Sequence, residues 1–227
     1  MKMKKMLAGV LAVVSLFCMS TTAMAASPTQ NIESQREAKI EAAKEIAYMD
    51  VESASVEMQE RILQARETII ESKSWVADGY EATLTRKDGT VTKIPHFSEL
   101  FPGWDIPASE STAVMSPRAV PELRSPVSQN IIVDLNRASS TMNAPASFVV
   151  SNIENTLEVY VNDLITSTSC NLGFTNTDLN LSVAHMVDMR VGDHLGVDSV
   201  PGTLTRIAVR ASTYVTPGRA ELGCYAW

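Results

Sequence analysis

A chain of 227 residues that is 45% hydrophobic and only 20% charged carries too much apolar material for a disordered acidic tail, and it lacks the residue bias of a collagen or a coiled-coil rod. Three cysteines are too few for a disulfide-framework miniprotein. A formal net charge of −7 disfavours nucleic acid and anionic lipid, both of which bind basic faces.

Residues 1–25 read as a secretory signal peptide. Lys2, Lys4 and Lys5 precede an apolar run from Met6 to Met19, and Ala23-Met24-Ala25 supplies a small-x-small cleavage signal. The apolar run is ~14 residues long, short of the roughly 18 to 20 that cross a bilayer. Nothing after residue 26 comes close, so no transmembrane segment is expected. Phe17 stands before Cys18 where a lipoprotein would need a small residue. Removal of the three lysines leaves 16 basic against 26 acidic side chains, a net charge of −10, and only Cys170 and Cys224 remain.

From Ser27 to Asp78 there is a single proline, Pro28, and no glycine, with Ala, Glu and Lys prominent. This is helix-forming composition. Asp50, Ser53 and Ser55 interrupt it with residues that cap helices. The first predicted helix, near Asn31 to Tyr48, has a weak stripe of Ile32, Ile40, Ala43, Ile46 and Ala47. The second starts after Ser55 as N-cap, with Glu57 and Glu60 in the dipole-favoured first turn. Met58, Ile62, Ala65, Ile69 and Ile70 follow its helical spacing. A helical hairpin burying these stripes is expected, with oligomerisation through the helices as the alternative use of the same faces.

From Gly79 to Pro107 the period falls to two. Tyr80, Ala82 and Leu84 alternate with polar residues, Lys87-Asp88-Gly89 turns the chain, and Thr90 to Ile94 returns, which predicts a β-hairpin. Phe97, Phe101 and Trp104 follow between Pro95 and Pro107, too irregular for a strand. They either fold back over a small core or present flat apolar faces to a sugar or peptide. Residues 108–127, rich in Ser and Pro, read as a linker.

The last hundred residues are β in character. Alternating runs at Ile131 to Leu135, Phe148 to Val150, Leu157 to Leu164, Cys170 to Phe174, Leu179 to Val187, Leu204 to Ala211 and Ala220 to Trp227 are separated by Asn, Gly-Asp and Pro-Gly turns. The pattern predicts a C-terminal antiparallel β-sandwich, jelly-roll-like. Leu157, Val159 and Val161 oppose Glu158, Tyr160 and Asn162, so one side meets a core and the other meets water. The expected organisation is α+β: signal peptide 1–25, helical hairpin with β-hairpin and aromatic loop 26–107, linker 108–127, and sandwich 128–227.

Three groups carry candidate chemistry. Cys170 and Cys224 both fall on apolar faces, and a secreted chain with two thiols has one possible pairing, a Cys170–Cys224 disulfide. Asp188, Asp193 and His194 offer oxygen and imidazole donors of the kind that hold Ca or Zn, although their spacing matches no metal loop. His185 shares its face with Leu179, Leu181, Val183 and Val187, which reads as a satisfied, partly buried ring. For ligand binding the candidates are Phe97, Phe101, Trp104 and Tyr160. No nucleophile elbow, His-Glu-x-x-His pair or phosphate-cradling loop is present, so the sequence predicts no catalytic residue and no obligatory cofactor.

The leading expectation is a secreted or surface-associated, non-enzymatic protein whose sandwich binds an extracellular glycan or protein. The alternatives are a structural or assembly protein of the cell envelope built on the helical pair, and a small secreted hydrolase using acids such as Asp188 and Asp193.

Overall fold

The computed structural model describes residues 28–107, 120–135, 145–198, 205–213 and 218–227. The expected signal peptide and residues 108–119 of the expected linker lie outside the described residues. Helices α1 (Pro28–Ala47) and α2 (Val56–Glu71) come first. Ser55 caps α2, its hydroxyl accepting the Met58 N–H at 3.4 Å, and Glu57 sits in the first turn, where the helix dipole favours a negative charge. Ile62, Ala65, Ile69 and Ile70 are buried along α2. The last carbonyls of α1 have no intrahelical partner. Arg66 reaches across from α2 to the end of α1, Nε donating to the Ala47 carbonyl at 2.8 Å and Nη2 to the carbonyl of Met49, just past the helix, at 3.3 Å. Among the described residues no helix is long and apolar enough to cross a membrane.

The rest is β-rich. Its strands are β1 (Trp75–Val76), β2 (Glu81–Thr85), β3 (Val91–Lys93), β4 (Glu122–Arg124), β5 (Val127–Asp134), β6 (Ser147–Ile153), β7 (Thr156–Ile165), β8 (Cys170–Asn176), β9 (Leu181–Met189), β10 (His194–Asp198), β11 (Thr205–Ser212) and β12 (Arg219–Ala226), with the short helix α3 (Phe97–Leu100) after β3. They form two six-stranded sheets, one ordered β1-β9-β8-β11-β6-β4 and the other β3-β2-β10-β7-β12-β5. Every pairing is antiparallel except β4 with β6. The chain is therefore α+β, with the helices preceding two largely antiparallel sheets. Inward residues of both sheets, among them Phe148, Phe174, Leu195 and Leu222, belong to one hydrophobic cluster.

The hairpin does not stand apart from this body. Gly89 turns it at φ +86°, a left-handed conformation that glycine adopts without strain. β2 then pairs along its whole length with β10, Glu81 opposite Asp198 and Thr85 opposite His194. β1 pairs with β9, Trp75 opposite His185. Backbone pairing thus crosses the expected linker, and its described end contributes the edge strand β4.

A second cluster joins the helices to the sheets. Trp75, Phe97 and Phe101 are buried with Ala43, Ala47, Ala65, Ile69 and Ile70. Phe97 meets Trp75 edge-on at 5.0 Å, and Trp104 stacks on Phe101 at 5.3 Å. Tyr48 and the Arg66 guanidinium lie against Trp104 at 5.1 and 5.0 Å. The aromatic loop is the interface between the helical pair and the sheets.

His185 departs from its expected face. The β8–β9 register shifts between Phe174 and Thr175, so one extra residue on β9 reverses the alternation beyond it. Val183, Ala184 and Met186 are buried, whereas the His185 ring stacks on Trp75 at 6.2 Å and its Nε2 lies 3.2 Å from the Glu71 carbonyl.

The expected disulfide is absent: Cys170 and Cys224 are free and buried. Cys170 belongs to β8 in one sheet and Cys224 to β12 in the other. Inward thiols on facing sheets bond only where their strands bring them opposite each other with Cα atoms within about 7 Å, and these two stay unbonded. Apolar alternation placed both side chains inward correctly, but it carries no information about which layer each strand joins. Burial pushes both thiols from 9.0 up to about 12, helped at Cys170 by the carboxylates of Asp193 and Asp188. Native protein is expected to resist alkylation at Cys170 and Cys224 at neutral pH, and unfolding without reductant should expose both of these thiols. A count of zero would restore the bridge. Because the folded pKa lies above the unfolded one, the stability contributed by each thiol is intact below pH 9. It falls as pH rises toward 12, by up to about 1.4 kcal/mol per thiol per pH unit. Chemical denaturation across that range should show a shallower fall for the Cys170→Ala, Cys224→Ala chain.

Candidate binding face

The second sheet turns a half-open face away from the core. Period-two alternation sets it up: on β10 the outward positions are His194, Gly196 and Asp198, on β7 Thr156, Glu158 and Tyr160, and on β12 Glu221, Gly223 and Tyr225. Their neighbours Leu195, Val197, Leu157, Val159, Leu222 and Cys224 are buried. Pairing register then decides which outward residues meet. Tyr160 lies between His194 and Gly223, and Gly223 lies beside Asn130 of β5. In the next row Glu158 lies between Gly196 and Tyr225.

This brings three rings together. Tyr160 stacks on His194 at 4.4 Å with the planes 18° apart, and meets Tyr225 edge-on at 5.2 Å. The Tyr160 hydroxyl donates to Glu158 Oε2 at 3.0 Å. Partial burial and this carboxylate both raise the pKa of the phenol, which keeps it neutral and donating. Beside the rings runs a chain of amides: Asn162 Nδ2 donates to Asn130 Oδ1 at 3.0 Å, and Asn130 Nδ2 donates to Glu221 Oε1 at 2.8 Å. Gly223 makes the convergence possible. A Cβ there would come within 3.0 Å of Asn162 Nδ2 and 3.3 Å of Tyr225 Cε2, closer than ordinary packing allows. Gly196 has no atom within 3.8 Å of the corresponding position, so the floor beside Glu158 stays low.

The other sequence candidates lie elsewhere. Phe97 and Phe101 are buried and Trp104 is half-buried; a buried ring offers no face to a ligand. Asp193 is 4% exposed in its side chain and is consumed by the fold. It takes Arg86 Nη1 at 2.6 Å and the backbone N–H groups of Arg190 and Lys87 at 2.9 and 3.1 Å. Asp188 pairs with Arg190 at 2.9 Å, and His194 belongs to the aromatic face. Among the described residues no three His, Cys, Asp or Glu side chains converge as a metal set.

A depression of about 300 Å³ opens on the first sheet beside Glu122, Arg124, Ser151, Asp178 and Arg206. Its charges face each other: Arg206 Nη2 lies 3.4 Å from Glu122 Oε2. The Ser151 hydroxyl and Arg206 hold the Glu122 carboxyl below its usual range.

Sequence reasoning singles out Tyr160 but not Tyr225, Asn130, Asn162, Glu221 and Gly223, which the pairing register places beside it. The outward triplets Glu158-Tyr160-Asn162 and Glu221-Gly223-Tyr225 were the available signal, but only strand order makes them neighbours. Comparison of the chain with protein-family models, curated proteins and solved structures finds no match.

The face rests on the Asp193 anchor directly before His194. Substituting Arg86→Ala strands a buried carboxylate, which costs about 3 kcal/mol. Thermal unfolding should show Tm lowered by about 10 °C, with Arg86→Lys recovering part of the loss because it restores the charge but not the guanidinium whose Nη1 donates to both the Asp193 carboxylate and, at 3.0 Å, the Asp188 carbonyl.

Proposed function

We propose that this is a secreted, non-enzymatic protein whose two sheets form a β-sandwich, and that the Tyr160–His194–Tyr225 face binds an uncharged extracellular glycan. The observation that carries the reading is the union of ring faces with an amide–carboxylate chain on one open sheet surface. A pyranose presents a face of C–H groups and a rim of hydroxyls. The rings suit the former, since aromatic side chains bind flat apolar surfaces and bring a polar edge with them. Fixed amides and carboxylates suit the latter, because a few placed polar groups orient a ligand. Glu158 and Glu221 accept hydroxyl donors, and the Asn130–Asn162 pair offers both donors and acceptors.

Charge selects among glycans. The face carries Glu81, Glu158, Asp198 and Glu221, and its Lys93 is itself paired with Glu81 at 2.6 Å. With a chain net charge of −7, sulfated or uronic polymers are repelled. The basic, apolar and small-x-small layout of residues 1–25 supports export, and the single core shared by both sheets supports the sandwich.

Retention of the secreted chain on immobilised neutral polysaccharides tests the reading, with sulfated and uronic polymers as controls. Tyr160→Ala is expected to weaken retention at least about tenfold, about 1.4 kcal/mol, with circular dichroism unchanged. Gly223→Val should do the same by driving Tyr225 and the asparagines apart. Equal retention of wild type and both variants, or preference for the acidic polymers, overturns it.

A further inference from the structure

The two sheets end on four edges, and three of them are too short to recruit anything. β1 has two residues and β3 and β4 have three each, while β5 runs for eight, Val127–Asp134. Long edge strands invite pairing, and proteins guard them with lysine, proline, bulges or cover. β5 has none of these guards within it. It pairs with β12 over eight consecutive residues without a shift, and from Val127 to Val133 it carries no charge.

Its outer hydrogen-bonding groups are identifiable. The Leu135 N–H donates inward to Gly218 and the Asp134 N–H donates the other way, to Pro145, at 2.8 Å each. By alternation the N–H groups of Ser128, Asn130 and Ile132 point away from β12 with that of Asp134. Pro145 closes the edge at Asp134, so among the described residues the open stretch is 127–133. Ser128, Gln129 and Asn130 are exposed, Ile132 is 48% exposed, and Val127 and Ile131 are only partly buried against the core.

We infer that β5 pairs antiparallel with β5 of a second copy of this chain, Asn130 facing Asn130 and Ser128 facing Ile132, joining the second sheets of two molecules into one continuous sheet. Charge selects this occupant. In a chain of net charge −7, a self-pairing strand must place no like charges opposite one another, and the open stretch of β5 has none. Such a register makes about six backbone hydrogen bonds. It lays Gln129 of one copy over Ile131 of the other and Val127 over Val133, completing cover that each monomer leaves partial. The interface is isologous and closes as a dimer.

The axis runs perpendicular to the sheet, so the two Tyr160 faces lie on the same side. With β12 and β5 intervening in each molecule, Tyr160 and its counterpart stand about 24 Å apart at the usual strand spacing. On the glycan reading above, which this consequence alone requires, one long polymer spans both sites and binds by avidity.

Sedimentation and backbone amide exchange on the full secreted chain test the dimer without any glycan. The expected result is twice the monomer mass in the micromolar range, with the amides of Ser128, Asn130 and Ile132 protected. Ile132→Pro removes one outward N–H while sparing the β12 ladder, and Ile132→Lys adds the missing guard. Both should sediment as monomers with unchanged circular dichroism. A wild type that stays monomeric, a dimer whose three amides exchange freely, or a dimer that survives both substitutions overturns the inference. If the variants are monomers that hold short neutral oligosaccharides as wild type does but lose at least tenfold on long polymer, both readings stand. A dimer that binds neither overturns the glycan reading alone.

Discussion

One buried carboxylate determines where the candidate face forms. Asp193 sits in the turn between β9 and β10 and accepts from Arg86, from the Lys87 backbone and from the Arg190 backbone. Arg86 and Lys87 follow β2 directly, so these bonds fasten the end of the hairpin to the start of β10. An unpaired carboxylate at this depth would be costly, which leaves little freedom in how the two meet. With β2 anchored at Thr85 opposite His194, β10 has one register on β2 and one on β7, and His194 falls beside Tyr160. A slip of β10 by one residue would send His194 inward, away from Tyr160, and Leu195 outward.

The same anchoring ties the N-terminal segment into both sheets. The hairpin enters the second sheet through β2, while β1, a few residues earlier, enters the first through Trp75 and Val76. Trp75 then faces Phe97 and, through it, Phe101 and Trp104. The helical pair is tied to the sheets by this line of rings and by the His185 and Ser74 contacts to Glu71 and Val187. Loss of one buried phenylalanine there would remove contacts from both sides of the junction, where large-to-small changes cost several kcal/mol.

What the sequence made legible followed from local physics. Ser55 with Glu57, the stripe Ile62-Ala65-Ile69, the Asp88-Gly89 turn and the alternations of β5 to β9, β11 and β12 are all signals complete within a few residues. β10 was missed because His194-Leu195-Gly196-Val197-Asp198 is short and glycine-interrupted, and β4 because three residues after a Ser/Pro run show no period. His185 was placed on the wrong face because a bulge is invisible to simple alternation. The disulfide failed for a longer-range reason: two inward thiols become partners only if the fold brings them opposite each other, and that depends on strand order and on how the sheets cross.

The candidate face shows the same boundary between local and non-local information. Tyr160, Tyr225 and His194 each lie on the polar side of an amphipathic strand, where a sequence reading sees only solvent exposure. Exposure alone would make three separate aromatic side chains, each unremarkable on a protein surface. Antiparallel order β10-β7-β12 turns them into one stacked group, and Gly223 leaves room for the Asn130–Asn162 pair to close against it. Because β5 both supplies Asn130 to this group and forms the long edge without charge from Val127 to Val133, the candidate face and that edge share a strand. A partner on that edge would extend the face rather than cover it.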